Sequence, residues 1–185
     1  MAPSEEREAR LSIALTGFMG AGKTSTGRIL ARMLRMSFVD SDSEIERRHG
    51  PLQAIFEREG EARFRRYETE VLSELSAGVP KVIAVGGGGV IDAANRKLLR
   101  RFGYIVHLQI SPEAAHARIA HRTHRPLLGE RPDVETIRGL LESRREAYKD
   151  CDFTIATGRR SGATVAAAIA RWYRGKLGRA ANSGG

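Results

Sequence analysis

Cysteine is almost absent from this sequence, and no long apolar run occurs in it. Its 185 residues include one cysteine, Cys151, so no internal disulfide can form and nothing calls for an oxidising compartment. No stretch approaches the roughly 18 apolar residues that a membrane-spanning helix needs. The apolar stretch at residues 11–22 follows a net acidic segment and ends at Lys23, which argues against an export signal. We therefore expect a soluble, cytoplasmic protein with no membrane partner.

Acidic residues are also in short supply. Lysine and arginine number 31 against 22 aspartates and glutamates, and residues 101–185 carry +7 of the resulting net charge of +9. This excess is compatible with a nucleic-acid surface, with anionic small substrates or with solubility alone. Of the 31 basic residues 26 are arginine, which suits bidentate binding of phosphate or carboxylate, although a codon-usage bias would look the same.

The length fits one compact domain with a single core. Residues 1–10 and 175–185 lack periodicity and are predicted to be flexible tails, so the folded domain is expected at residues 11–174. Prolines, a glycine and several basic residues lie between Arg122 and Asp133. That composition predicts a long mobile loop, the main part of a lid at residues 118–133.

Short apolar runs alternate with amphipathic segments, which is typical of an α/β protein with a parallel sheet. Five strands are predicted, at Leu11–Leu15, Ser37–Val39, Lys81–Val85, Tyr104–Ile110 and Phe153–Ala156. Helical segments are predicted at Thr24–Leu34, Asp42–Arg48, Leu52–Glu59, Ala62–Leu75, Asp92–Arg101, Pro112–Ala120, Val134–Tyr148 and Gly162–Tyr173.

The segment from Gly17 to Thr24 matches the phosphate-binding loop pattern in full, after a predicted strand and before a predicted helix. Its glycines let backbone N–H groups curl around phosphate oxygens, and the helix N-terminus adds a positive dipole. Lys23 would reach the β- and γ-phosphates, and Thr24 would offer its hydroxyl to Mg²⁺. The alternative is a glycine-rich turn that binds nothing, which the strand and helix context makes much less favourable.

Two aspartates follow the second predicted strand. Asp40 and Asp42 should face the phosphate loop, because ligands of parallel α/β sheets bind beyond the carboxyl ends of the strands. One carboxylate could hold the metal through water while the other receives a hydroxyl proton from an acceptor. Helix capping is the alternative use of such a pair. The sequence contains no Asn-Lys-x-Asp element of the GTPase type and no apolar strand that ends in Asp-Glu.

Five motifs in order closely resemble the shikimate kinase family. They are the phosphate loop, Phe38-Val39-Asp40-Ser41-Asp42, the helical stretch from Ile55 to Glu68, Gly86-Gly87-Gly88-Gly89-Val90 and Arg125-Pro126-Leu127-Leu128. The resemblance runs from about Leu11 to Tyr173. It implies a single-domain fold like that of nucleoside monophosphate kinases, with a five-stranded parallel sheet, helices on both faces and a mobile lid. It also implies transfer of the γ-phosphoryl of ATP, with Mg²⁺, to the 3-hydroxyl of shikimate in aromatic amino-acid biosynthesis.

The resemblance also implies roles for individual residues. Asp40 would assist Thr24 at the metal, and Asp42 would contact the substrate hydroxyl as the base. Arg65 and Arg144 would clamp the substrate carboxylate, and Gly87 would contact the substrate through its backbone. The nucleotide residues by motif position are Gly20, Ala21, Gly22, Lys23, Thr24, Ser25 and the lid arginine Arg125.

Residue chemistry supports these roles unevenly. Arg65 lies three residues before Glu68, on the same helix face, where the acid can orient the guanidinium, but a surface ion pair is the alternative. Arg122, His124 and Arg131 compete with Arg125 for the role of lid cation.

Arg144 precedes Tyr148 by four residues, as in the family's Arg-x-x-x-Tyr element, but Arg145 leaves the assignment ambiguous by one residue. The family commonly has a proline shortly before that tyrosine, and this chain has Glu146-Ala147 there. The end of the local helix is therefore not fixed by the sequence.

We therefore expect a monomeric shikimate kinase that acts on a small molecule and binds no nucleic acid. The alternative within the same fold is a kinase of another small hydroxy-acid, such as gluconate. The alternative of a different class is a basic nucleic-acid-binding module, although the sequence carries no recognisable signature of one.

Overall fold

Five parallel strands form one sheet in the computed structural model of the protein, which describes residues 11–119 and 132–182. The strands are β1 (Ser12–Thr16), β2 (Ser37–Asp40), β3 (Lys81–Ala84), β4 (Gly103–Gln109) and β5 (Phe153–Ala156). Their order across the sheet is β2-β3-β1-β4-β5, and every neighbouring pair is parallel. β1 therefore lies at the centre, and the phosphate loop leaves the middle of the sheet.

Helices connect the strands. In the described residues they are α1 (Lys23–Leu34), α2 (Ser41–His49), α3 (Leu52–Ser76), α4 (Ala93–Phe102), α5 (Pro112–Ile119), α6 (Val134–Ser143), α7 (Arg145–Lys149) and α8 (Gly162–Asn182). None of the helices in these ranges combines the length and the apolarity needed to cross a membrane.

Successive strand residues point to opposite faces of the sheet, and each face has its own hydrophobic core. On one face, Ile13 and Val106 pack in a cluster with residues of α1 and α8, including Leu30 and Ile169. On the other face, Ala14, Ile83 and Ile105 pack with residues of α3 and α4. This arrangement confirms the predicted α/β class with helices on both faces of the sheet.

Gly60 explains why α3 was predicted as two segments. The helix extends from Leu52 to Ser76, but Gly60 has φ 79° and ψ 171°, which are not helical angles. Glycine adopts such angles without the steric penalty that a side chain would bring. The helix is therefore kinked at the position where the two predicted segments, Leu52–Glu59 and Ala62–Leu75, are separated.

Two predicted boundaries are wrong. The stretch predicted as one helix over Val134–Tyr148 is broken at Arg144, whose φ of −101° and ψ of 0° end α6 and precede α7. The tail predicted from Gly175 is instead helical, because α8 continues to Asn182. Leu177 packs against the core, and alanine, lysine and arginine are good helix formers, so the glycines at 175 and 178 do not end the helix.

Candidate active site

The phosphate loop joins the end of β1 to the start of α1 at the carboxyl edge of the sheet. Gly22 is the N-cap residue of α1 and has φ 91°, a left-handed conformation that favours glycine. The first N–H groups of α1 have no partner within the helix, so they point with the helix dipole towards an anion bound in the loop. The predicted loop residues Gly20, Ala21, Gly22, Lys23, Thr24 and Ser25 all line one cleft.

Lys23 folds back over this loop. Its Nζ donates to the carbonyl oxygens of Gly17 at 2.7 Å and of Phe18 at 3.3 Å. These carbonyls hold the ammonium group at the mouth of the loop. The side chain is thereby placed where phosphate oxygens would gather, which is the position the sequence predicted.

Thr24 and Asp40 form the candidate metal position. The hydroxyl of Thr24 donates to Asp40 Oδ2 at 2.7 Å, and Asp40 Oδ1 accepts from the backbone N–H groups of Asp42 and Ser43. Asp40 is thus also the N-cap of α2, so the two uses that the sequence left open for the aspartates coexist in this residue. A hydroxyl and a carboxylate are hard oxygen donors, and Mg²⁺ in nucleotide sites takes few protein ligands beside phosphates and water. This donor set therefore fits Mg²⁺.

The cleft around the loop has a volume of about 1180 Å³. Asp42 lines it opposite the loop, and Arg118, Thr157 and Arg160 line its other end. The sequence analysis did not single out Arg118. Its Nη1 donates to the carbonyl of Gly20 at 2.9 Å and its Nη2 to the carbonyl of Gly158 at 2.5 Å, so this side chain ties the phosphate loop to the loop before α8. No sequence pattern separates Arg118 from other helical arginines, because its partners are distant carbonyls.

A second cluster of charged side chains converges on the glycines that follow β3. A methyl group on Gly86 would overlap the Asp42 carboxylate, and one on Gly88 would overlap the Arg65 guanidinium. On Gly87 it would lie 3.7 Å from Arg144 Nη1. The three glycines therefore make room for three side chains from three different segments. We call this group of Asp42, Arg65, Arg144 and the backbone of residues 86–88 the acceptor clamp.

Glu68 anchors Arg65 in the acceptor clamp. Arg65 Nη1 lies 2.5 Å from Glu68 Oε2, and Arg65 Nη2 lies 2.9 Å from the exposed Glu61. Glu68 is only 2% exposed. Burial raises its pKa to about 7, since desolvation disfavours the carboxylate more strongly than Arg65 favours it. Asp42 raises the pKa of Glu68 further and Arg144 lowers it, so Glu68 senses both other charges of the clamp.

The structure separates Arg144 from Arg145. Arg144 is 8% exposed, donates to the carbonyl of Gly87 at 3.2 Å and lies 5.7 Å from the centre of the Phe18 ring. Arg145 points to solvent and pairs with Glu142. The break between α6 and α7 at Arg144 turns this side chain inward. The ambiguity of one residue in the sequence is therefore settled in favour of Arg144 as the member of the clamp.

Asp42 lies where the two halves of the site meet. It lines the nucleotide cleft, and its carboxylate also packs against Gly86 in the acceptor clamp. Ser41 holds this junction, because its buried hydroxyl accepts from the backbone N–H of Gly86 at 2.9 Å. A carboxylate between a phosphate site and an anion clamp is suitably placed to receive a proton from a hydroxyl that attacks the phosphate.

The predicted lid cation Arg125 lies outside the described residues, as do its competitors Arg122, His124 and Arg131. Of the predicted lid at residues 118–133, only its two ends are described. Arg118 and Ile119 belong to α5, and Asp133 is the N-cap of α6. The role of Arg125 stays a prediction.

Comparison with known proteins gives one consistent result. The model of the shikimate kinase family matches residues 19–174. The chain is 41% identical to the shikimate kinase of Geobacter sulfurreducens over 173 residues, which is 93% of each chain. It is 42% identical to that of Methylococcus capsulatus over 166 residues, 89% of this chain and 93% of the relative.

Solved structures agree. Shikimate kinase from Acinetobacter baumannii in complex with shikimate superposes with a TM-score of 0.87 at 39% identity, over 94% of this chain and 98% of that one. A gluconokinase from Sinorhizobium meliloti reaches a TM-score of 0.52 at 21% identity, over 93% of this chain and 94% of that one, a likeness of fold alone. The match to family, relatives and fold over most of the chain means that this protein belongs to the shikimate kinase family.

Proposed function

We propose that this chain transfers the γ-phosphoryl group of ATP to the 3-hydroxyl of shikimate, with Mg²⁺. One observation carries the proposal: Asp42, Arg65 and Arg144 converge on residues 86–88 while Asp42 also lines the phosphate-loop cleft. Two cations beside one carboxylate suit an acceptor that carries both a carboxylate and a hydroxyl. Shikimate is such a molecule, and membership of the family selects it among acceptors of this kind.

The nucleotide half of the site positions the phosphates. In our proposal the N–H groups of the loop and the start of α1 bind the β- and γ-phosphates, and Lys23 leaves the carbonyls of Gly17 and Phe18 to meet them. Thr24 and Asp40 would hold the metal, which when bound neutralises negative charge on the phosphate oxygens. Arg125 is proposed to add a further positive charge from the lid.

The acceptor clamp orients the hydroxyl. Arg65 and Arg144 would bind the substrate carboxylate, and the carbonyl and N–H groups of residues 86–88 would lie against its ring. The 3-hydroxyl oxygen forms a new bond to the γ-phosphorus, while the bond to the bridging oxygen breaks and its electron pair leaves with ADP. The hydroxyl proton passes to the Asp42 carboxylate. Because this transfer depends on positioning and on charge neutralisation, both halves of the site must be filled together.

The proposal includes a monomer in the cytoplasm, since the described residues of both halves belong to one chain and the reaction consumes ATP. Sedimentation velocity with and without ligands tests the monomer. A stable dimer would contradict that part alone and would leave the activity untouched.

A coupled assay of ADP formation tests the activity. Shikimate, gluconate and nucleoside monophosphates are offered separately with MgATP, and phosphorylated product is counted against ADP. We expect one product per ADP with shikimate and only background with the others. Preferred turnover of gluconate or of a nucleoside monophosphate would overturn the proposal. A salt-resistant gel shift with DNA or RNA would instead support the basic-module alternative, which the comparisons disfavour.

A further inference from the structure

His107 lies against the acceptor clamp without belonging to it. It follows Ile105 by two residues on β4, so both side chains are on the face of the sheet that packs against Tyr148. The imidazole is 9% exposed and stacks on the Tyr148 ring, with 4.7 Å between ring centres and 19° between ring planes. A stack this flat restricts the tilt of the tyrosine ring.

Tyr148 connects this stack to the clamp. Its hydroxyl donates to the carbonyl oxygen of Gly87 at 3.2 Å, and Arg144 Nη1 donates to the same oxygen at the same distance. The Gly87 carbonyl is thus shared by the phenol and the guanidinium. A shift of the Tyr148 ring would move the oxygen that fixes Arg144.

The polar atoms of His107 do not account for its position. Within residues 11–119 and 132–182 its buried Nδ1 has no hydrogen-bond partner. Burial lowers the pKa of His107 to about 4, and the positive charge of Lys23 lowers it further, so the ring is neutral at pH 7. A buried imidazole whose Nδ1 bonds to nothing in these ranges contributes through its flat shape, and the surface it presents to Tyr148 is the contact that shape provides.

We propose that His107 is a positioning residue for the acceptor: its ring fixes Tyr148, and Tyr148 fixes Arg144 through the carbonyl oxygen of Gly87. This inference rests on the proposed function, because it assigns Arg144 to the carboxylate of shikimate. It places the origin of part of the acceptor affinity on β4, next to the strand from which the phosphate loop begins.

Two apolar replacements of similar size test the role of the flat ring. His107→Leu fills the site without a plane, and His107→Phe restores a plane without nitrogen. We expect His107→Leu to raise the KM for shikimate about tenfold, the order of one lost aromatic contact and a weakened hydrogen bond. The KM for ATP and kcat should stay within about twofold, since the stack does not touch the phosphate loop. His107→Phe should return the KM for shikimate to near the wild-type value.

The chain offers a matched control. His49 stacks on Tyr67 with 3.7 Å between ring centres and 10° between planes, and this tyrosine bonds to Glu59 rather than to a carbonyl of the clamp. His49→Leu therefore removes a similar stack and should leave the KM for shikimate near wild type. An equal rise in this control would mean that any lost histidine stack loosens the enzyme, and would overturn the proposal.

Tyr148→Phe completes the test, because it keeps the stack and removes the hydrogen bond to Gly87. It should raise the KM for shikimate as His107→Leu does, and the double variant should be no worse than either single one. Additive effects would overturn the proposed order of contacts. Failure of His107→Phe to rescue would also overturn it, since an essential nitrogen would then be implied.

The same pair of variants is compared by urea unfolding, where no substrate is needed. Coupling between His107→Leu and Tyr148→Phe is expected there too, and independent effects would contradict the contact itself. If the wild-type enzyme did not phosphorylate shikimate, the proposed function would fail while this coupling could still be present. The two failures are therefore distinguishable.

Discussion

The nucleotide half and the acceptor half of the site are built in opposite ways. The nucleotide half uses eight consecutive residues, Gly17 to Thr24, and its main binding groups belong to the backbone. The acceptor clamp takes single side chains from α2, α3 and the break between α6 and α7, and brings them to three glycines after β3. A backbone site is written in one continuous motif, whereas a side-chain site exists only after folding. The difference predicts how each half responds to mutation.

Asp42→Asn should have the largest effect, because Asp42 serves both halves. Loss of the base should lower kcat by about 10²–10⁴, the usual contribution of general-base catalysis. Asp40→Asn is the matched variant: it keeps an N-cap for α2, weakens the metal position, and should raise the Mg²⁺ concentration needed for activity. Single-turnover phosphorylation of shikimate across a Mg²⁺ titration measures both.

Rescue of Asp42→Asn, but not of Asp40→Asn, by high Mg²⁺ would show that the two roles are reversed. Phosphoryl transfer through a loose transition state requires little early deprotonation. A fall in kcat of much less than about a hundredfold would therefore indicate that Asp42 orients the hydroxyl and is not its base.

Lys23→Ala should follow, with kcat lower by roughly 10²–10³, the usual loss when one donor to transition-state charge is removed. The side chain bonds to Gly17 and Phe18 in the loop, so the fold should survive its loss. Exposed Lys97 on α4 gives the control, and Lys97→Ala should leave turnover unchanged. Wild-type turnover of a folded Lys23→Ala enzyme would mean that the backbone of the loop binds the phosphates alone.

Arg65→Lys should weaken only the acceptor half. Lysine keeps the charge but lacks the planar fork that matches a carboxylate, so shikimate affinity should fall by about 1–3 kcal/mol. Titration calorimetry with shikimate and with ATP measures the two halves separately, and Arg66→Lys, at an exposed neighbouring position, is the control. Equal losses of affinity for both ligands would erase the distinction between the halves.

The sequence predicted much of the architecture and less of the clamp. All five strands were predicted within one residue of their observed ends, because buried parallel strands are short apolar runs. The phosphate loop was predicted from its residues alone. Arg65 and Arg144 required the family resemblance, since helical arginines are common and the partners of these two residues are not evident from local spacing. Periodicity missed the break at Arg144, which depends on tertiary contacts with Gly87.

His107 shows the limit most clearly. Its spacing from cysteines and acids is not that of a metal site, and no local pattern gives it another role. Only the fold brings it against Tyr148, 41 residues later in the chain. Arg118 is similar, because carbonyl groups of two remote loops select it.

Glu68 provides the smallest and most specific prediction, a pH dependence of stability that belongs to the acceptor half. Its pKa is about 7 in the folded protein against an ordinary value of 4.5. Below pH 4.5 both the folded and the unfolded states hold the proton. Between pH 4.5 and 7 the folded state keeps a proton that the unfolded state releases, so the free energy of unfolding falls as the pH rises and levels off above pH 7. The loss attributable to Glu68 should be about 1–3 kcal/mol.

Glu68→Gln should abolish this part of the slope, because glutamine keeps the size and one acceptor for Arg65 but does not titrate. Glu61→Gln is the matched control: Glu61 pairs with the same arginine but is 59% exposed, and its loss should leave the slope unchanged. Urea unfolding at several pH values from 4.5 to about 8, which spans the expected transition, measures all three proteins. A slope in Glu68→Gln equal to that of wild type would mean that Arg65 holds Glu68 ionised throughout, and the acceptor half would then carry a permanent ion pair with no titrating group in this range.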